Sequence, residues 1–96
     1  RTAMKFCMHL STRIHDKKDE LPLLNCLTDL ALDADASGFS AISLTEHHLH
    51  ENQGYQNSLL FASALAPRLK QATLILATVN PAIHHPLRLV ESCNLI

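Results

Sequence analysis

Apolar positions in this chain fall into short unbroken runs, separated by stretches in which they recur every three or four residues. The runs are MKFCMHL at 4–10, FSAISL at 39–44 and ATLILATV at 72–79. Each has the length of a strand, and the last is continuously apolar and branched, as in parallel strands buried on both faces. Helical patterns lie between and after them. Leu23, Leu27, Leu30 and Ala34 recur at spacings of four, three and four, forming one stripe that faces a core. Gly38, just past that stripe, supplies the left-handed residue that ends such a helix. NSLLFASALA, 57–66, is apolar nearly all round, with Asn57 or Ser58 as its cap and Pro67 at its end. PLRLVESCNLI, 86–96, opens with proline at the first helical position.

The order is strand then helix, three times over, with strand centres roughly 35 residues apart, a spacing that suits crossover units with parallel strands. The fold class expected is α/β: the N-terminal three βα units of a (β/α)8 TIM barrel, the other arrangement of such units being an open doubly wound sheet. Three units cannot close a barrel and would leave two sheet edges and one face uncovered. Residues 1–96 therefore read as the N-terminal portion of a single barrel domain, truncated at the C-terminus, whose intact length is about 250 residues or more. The opening RTAM ahead of a candidate initiator Met4, and the ending ESCNLI inside a helical pattern, agree with a fragment.

Composition narrows the partners. An apolar content of 47% is that of a globular chain. Eight Lys and Arg against nine Asp and Glu, without long runs, give no basic face for nucleic acid and no polybasic arm for a membrane. No apolar run approaches the ~20 residues that span a bilayer. Cys7, Cys26 and Cys93 are odd in number and set in apolar segments, which suits buried free thiols in a reducing, cytoplasmic compartment.

The polar chemistry is concentrated in SLTEHHLHENQGY, 43–55, where His47, His48 and His50 crowd together with Glu46 and Glu51. This segment follows the second strand, and NPAIHHP follows the third on the same side. His47, His48, His84 and His85 therefore belong at one rim, the C-terminal end of the strands where α/β folds carry their sites. By alternation Ile42 and Leu44 face the helices, whereas Ala41, Ser43, Thr45 and His47 face the barrel interior. Glu46 turns against neighbouring structure. A metal site would draw on His47, His50, Glu51 and His84, but the helical HExxH spacing is absent and the side chains of HH doublets diverge on an extended chain. Packing and capping roles suit His9, His15, His48, His50, His84 and His85 taken singly. His47 differs, because position, facing direction and neighbours all favour function.

GFSAISLTEHH, 38–48, joined to NPAIHHPLRLVESCNLI, 80–96, resembles the N-terminal part of the bacterial-luciferase-like flavin-dependent monooxygenases, with MKF at the first strand. The resemblance runs in order from Met4 onward. It implies a (β/α)8 barrel that uses reduced FMN and oxygen to oxidise a small organic substrate, with the flavin across the C-terminal ends of the strands. His47 then corresponds to the histidine implicated in catalysis, with Glu46 as its orienting partner. Ala77 and Thr78 correspond to the backbone contact with the flavin ring, and His48 joins them at the cofactor. A flavin reductase as electron donor and a dimer of full-length chains are further implications. So are two alternatives: a deazaflavin (F420) oxidoreductase that transfers hydride, and a non-catalytic subunit. Departures stand at Asp35, Ser40 and Ser43, where the family often carries Glu, Asp and Trp, and the last alters pocket shape. An independent small α/β domain would need a glycine-rich phosphate loop, and the chain has only Gly38 and Gly54.

Overall fold

The computed structural model describes residues 3–55 and 57–96; Arg1 and Thr2 of the RTAM opening lie outside them. Three strands, β1 (Cys7–Leu10), β2 (Ala41–Leu44) and β3 (Thr73–Leu76), form a parallel sheet in the order β1-β2-β3. The register aligns His9 with Ser43 and Ser43 with Ile75. Helices α1 (Glu20–Ala36), α2 (Ser58–Leu65) and α3 (Pro86–Leu95) follow the strands in turn. The alternation of strands and helices is therefore as the apolar pattern predicts.

The core lies between the helices and one sheet face. Leu10, Ile42 and Leu44 pack there with Leu27, Ala31 and Ala34 of α1 and with Phe61, Ala62 and Leu65 of α2, while Leu74 and Leu76 of β3 pack against this cluster half-buried. The buried line of α1 passes through Leu27, Ala31, Ala34 and Asp35. Leu30, assigned to the stripe from its spacing, is instead exposed. Leu27 and Ala31 are four residues apart and so share a face, whereas Leu30 is rotated off it.

Local signals act where expected. Gly38 adopts φ +90 after α1, and the Phe39 amide donates back to the Ala34 carbonyl at 3.0 Å, the six-to-one bond of a glycine-terminated helix. Asn57 caps α2, accepting from the Leu60 amide at 3.2 Å. Pro67 lies in the 3-10 turn Ala66–Arg68 that closes the helix, and Pro86 opens α3.

Two expectations are corrected. β3 is not buried on both faces, since Thr73 and Ile75 are exposed on the face away from the helices, which no other layer among the described residues covers. All three cysteines are free, as expected, but exposed rather than buried. Cys7 falls on that same uncovered face, and Cys26 and Cys93 fall on helix surfaces outside the core.

Buried Asp35 anchors the approach to β3. Its carboxylate accepts from the backbone amides of Lys70, Gln71 and Ala72 at 2.8, 3.0 and 2.7 Å, and its own carbonyl accepts from the Gln71 side-chain amide at 2.6 Å. The end of α1 is thereby tied to the turn that launches the third strand.

Candidate functional site

The loops that leave β2 and β3 emerge side by side at the C-terminal end of the sheet, with the Ala77 amide donating to the Leu44 carbonyl at 2.8 Å. The β2 loop then doubles back onto the segment after β1. The Ile14 amide donates to Asn52 O at 3.0 Å and the Gly54 amide to Thr12 O at 2.6 Å. Thr12, almost fully buried, donates its hydroxyl to Gln53 Oε1 at 2.6 Å. A Cβ at Gly54 would sit 3.3 Å from both Leu23 Cδ2 and Thr12 O, so the glycine lets the returning loop pass close to the segment after β1. Leu49, at φ 57, turns the chain between His48 and His50.

Glu46 is the hub of the rim. Its side chain is only 2% exposed. Oε1 stands 2.6 Å from Nε2 of His48 and 3.1 Å from Nε2 of His84, while Oε2 accepts from the Asn80 amide at 2.9 Å. Burial pushes the carboxyl up, but the hydrogen bonds from His48, Asn80 and His84 outweigh it and hold it below its ordinary value. Glu46 is thus a carboxylate that binds the β3 loop to the β2 loop.

The other predicted residues divide. His48 and His84 are drawn to Glu46, where their spacing had suggested packing or backbone capping. His47 is exposed at the start of the loop, its ring edge-to-face with His50 at 6.1 Å between centroids. The Glu46 carboxylate is therefore engaged by His48, His84 and Asn80 rather than by the histidine it was expected to orient. His85 precedes α3 without a side-chain cap bond. Ala77 and Thr78 are exposed at the end of β3, and the peptide bond between them is cis. Among the described residues, no group of three or more His, Cys, Asp or Glu side chains is gathered as a metal ion would require.

Sequence reasoning assigned His9 a packing role and missed its contact. His9 Nδ1 lies 3.2 Å from Ser43 Oγ, on the sheet face opposite the core. The usable signal was parity, since His9 alternates with Met8 and Leu10.

Among the described residues, no helix is long and apolar enough to cross a membrane. Residues 4–95 match the family model described as luciferase-like monooxygenase. Among solved structures the chain is similar to the oxygenating constituent of 3,6-diketocamphane monooxygenase from the CAM plasmid of Pseudomonas putida, a type II Baeyer-Villiger monooxygenase in complex with FMN. That similarity has a TM-score of 0.84 at 18% identity over 94% of this chain and 25% of that one. It is similar also to monooxygenase RslO1 from Streptomyces bottropensis, with a TM-score of 0.83 at 30% identity over 94% of this chain and 28% of that one. A third similarity is to apo-MsnO8, with a TM-score of 0.83 at 17% identity over 94% of this chain and 27% of that one. No curated protein matches. The chain spans about a quarter of the length of these solved structures, and its three βα units match the start of their barrel.

Proposed function

Because the chain belongs to the luciferase-like monooxygenase family, we propose that it forms the N-terminal part of a single (β/α)8 domain that uses reduced FMN and oxygen to oxidise a small organic substrate. One observation carries this reading. The EHH residues Glu46, His47 and His48 stand with exposed Ala77 and Thr78 at the C-terminal end of one parallel sheet, where α/β folds bind ligands.

The residues present fit a flavin. Ala77 and Thr78 are small and exposed at the end of β3, so a flat ring can approach the backbone there, and His48 borders the same rim. Reduced FMN, when bound, supplies the electrons with which oxygen is activated. His47 gives or takes a proton beside it, a task suited to an imidazole, whose two ring nitrogens can donate and accept. Glu46 acts as a positioning residue, holding His48 and the β3 loop in place. On this reading the protein is cytoplasmic and dimeric and receives its flavin from a reductase.

The test is an anaerobic titration of the full-length protein with reduced FMN and, separately, with reduced F420, followed by admission of oxygen. Saturable binding of reduced FMN and consumption of oxygen are expected. Binding of F420 alone would replace FMN by the deazaflavin, and binding of neither would leave a non-catalytic subunit.

A further inference from the structure

The uncovered sheet face is a ladder of side chains, because register places residues of the three strands at common levels. Cys7, Ala41 and Thr73 form one rung, and His9, Ser43 and Ile75 form the next. Ala77 follows Ile75 by two residues, one further rung of about 6.6 Å toward the C-terminal rim. In a (β/α)8 barrel this face is the interior, whose layers are ordinarily filled by bulky branched aliphatic side chains. Here Ile75 is the only such residue in six positions. The rest are small or polar, and the serine at the centre of the second rung is hydrogen-bonded to the histidine beside it at 3.2 Å.

That pairing has a chemical consequence. Nδ1 of His9 is engaged by the Ser43 hydroxyl, which can donate or accept, so the ring orientation is set by a neighbour on the adjacent strand. The opposite ring nitrogen, Nε2, is left for a second partner. Polar groups enclosed in a barrel interior need such partners, and none of the surrounding side chains in these rungs offers a charge.

We infer that His9 and Ser43 form an oxygen-anchoring subsite one rung beneath Ala77, in which His9 Nε2 hydrogen-bonds the uncharged carbonyl or hydroxyl oxygen of a small organic substrate whose apolar remainder lies against Ile75. This rests on the flavin-monooxygenase reading for the word substrate, but not for the binding itself. A pure hydrocarbon leaves Nε2 unpaired, and no lysine or arginine stands in these rungs to meet a carboxylate or phosphate.

The experiment uses the full-length protein with 15N-labelled histidine, titrated in turn with cyclohexanone, cyclohexanol and methylcyclohexane. The His9 signals are identified by their loss in His9→Gln. The expected result is a saturable shift of the His9 Nε2 resonance with the ketone or the alcohol and none with the hydrocarbon. Ser43→Ala, which removes only a hydroxyl, should weaken that binding about tenfold, the worth of one hydrogen bond. No shift with any probe up to its solubility limit, an equal shift with all three, or unchanged affinity in Ser43→Ala would each overturn the subsite. FMN binding by the same sample is read separately from flavin absorbance. A protein that fails to bind FMN but shows the His9 shift keeps the subsite and loses the flavin assignment.

Discussion

Glu46 and His84 are 38 residues apart in the chain, yet Oε1 of the one stands 3.1 Å from Nε2 of the other. With the Asn80 amide on Oε2, a single carboxylate holds the loop after β3 to the end of β2. The side chain is nearly sealed from solvent, so these bonds are little weakened by water. Glu46→Gln removes the charge but keeps the shape, and it should lower the stability of the folded chain by about 1.5–3 kcal/mol, the range for a hydrogen bond to a charged group. Denaturant midpoints of the two proteins would show it, and equal midpoints would mean that the loops are held by other contacts.

The same carboxyl sets an acid limit. Its folded pKa lies below the ordinary 4.5, so its stabilising contribution is complete above about pH 4.5 and is lost as pH falls through the lower folded value. Asp35 acts in the same direction, because the amides of Lys70 and Ala72 foremost hold it below its ordinary 3.8. Wild-type stability should therefore decline on acidification below about pH 4.5. The Glu46→Gln and Asp35→Asn double variant should start less stable and decline less steeply, as a pH series of thermal melts would reveal. Asp29→Asn, on the exposed side of α1, serves as the control that should leave the profile unchanged.

Two residues with positive φ should respond in opposite senses. Gly38 sits at φ +90 with nothing within 4 Å of a would-be Cβ, so Gly38→Ala meets no clash and the loss is one of backbone conformation, about 1 kcal/mol. Leu49, at φ 57 and 97% exposed, holds a left-handed backbone that a leucine rarely adopts. Leu49→Asn should raise the denaturation midpoint slightly, by under about 1 kcal/mol, since asparagine tolerates that region best among residues with a side chain. A fall in the midpoint for Leu49→Asn would mean that its side chain is held.

What the chain discloses and what it conceals follow from sequence separation. Gly38, Asn57 and Pro86 act through backbone groups within a few residues, so their roles are legible one at a time. The inward face of β2 is legible too, because alternation places Ser43 opposite Ile42 and Leu44. By contrast the partners of Asp35 lie 35–37 residues away, and no local pattern distinguishes it from exposed Asp33. Leu30 shows the limit of spacing, which fixes angles around a helix but not which side of the stripe meets the sheet. Cys7 reads as a core residue by composition, yet parity turns it to the uncovered face. The gathering of histidines at one rim was legible from the strand order, but not their network centred on Glu46.

The proposed chemistry makes separable demands on His47 and Ala77. His47 is exposed at the rim and packs only edge-on against His50, so His47→Ala should leave the fold intact and FMN affinity within a few-fold. If its imidazole moves a proton in the reaction, turnover by the full-length enzyme should fall about 10²–10⁴-fold, the usual contribution of a positioned acid or base. Ala77→Leu asks the opposite question, since added bulk at the end of β3 holds a flat ring off the backbone. Reduced-flavin affinity should drop at least tenfold there while the melting temperature, set by the core on the other face, stays close to wild type. Unchanged turnover in His47→Ala would remove it from catalysis, and unchanged flavin affinity in Ala77→Leu would move the ring to another part of the rim.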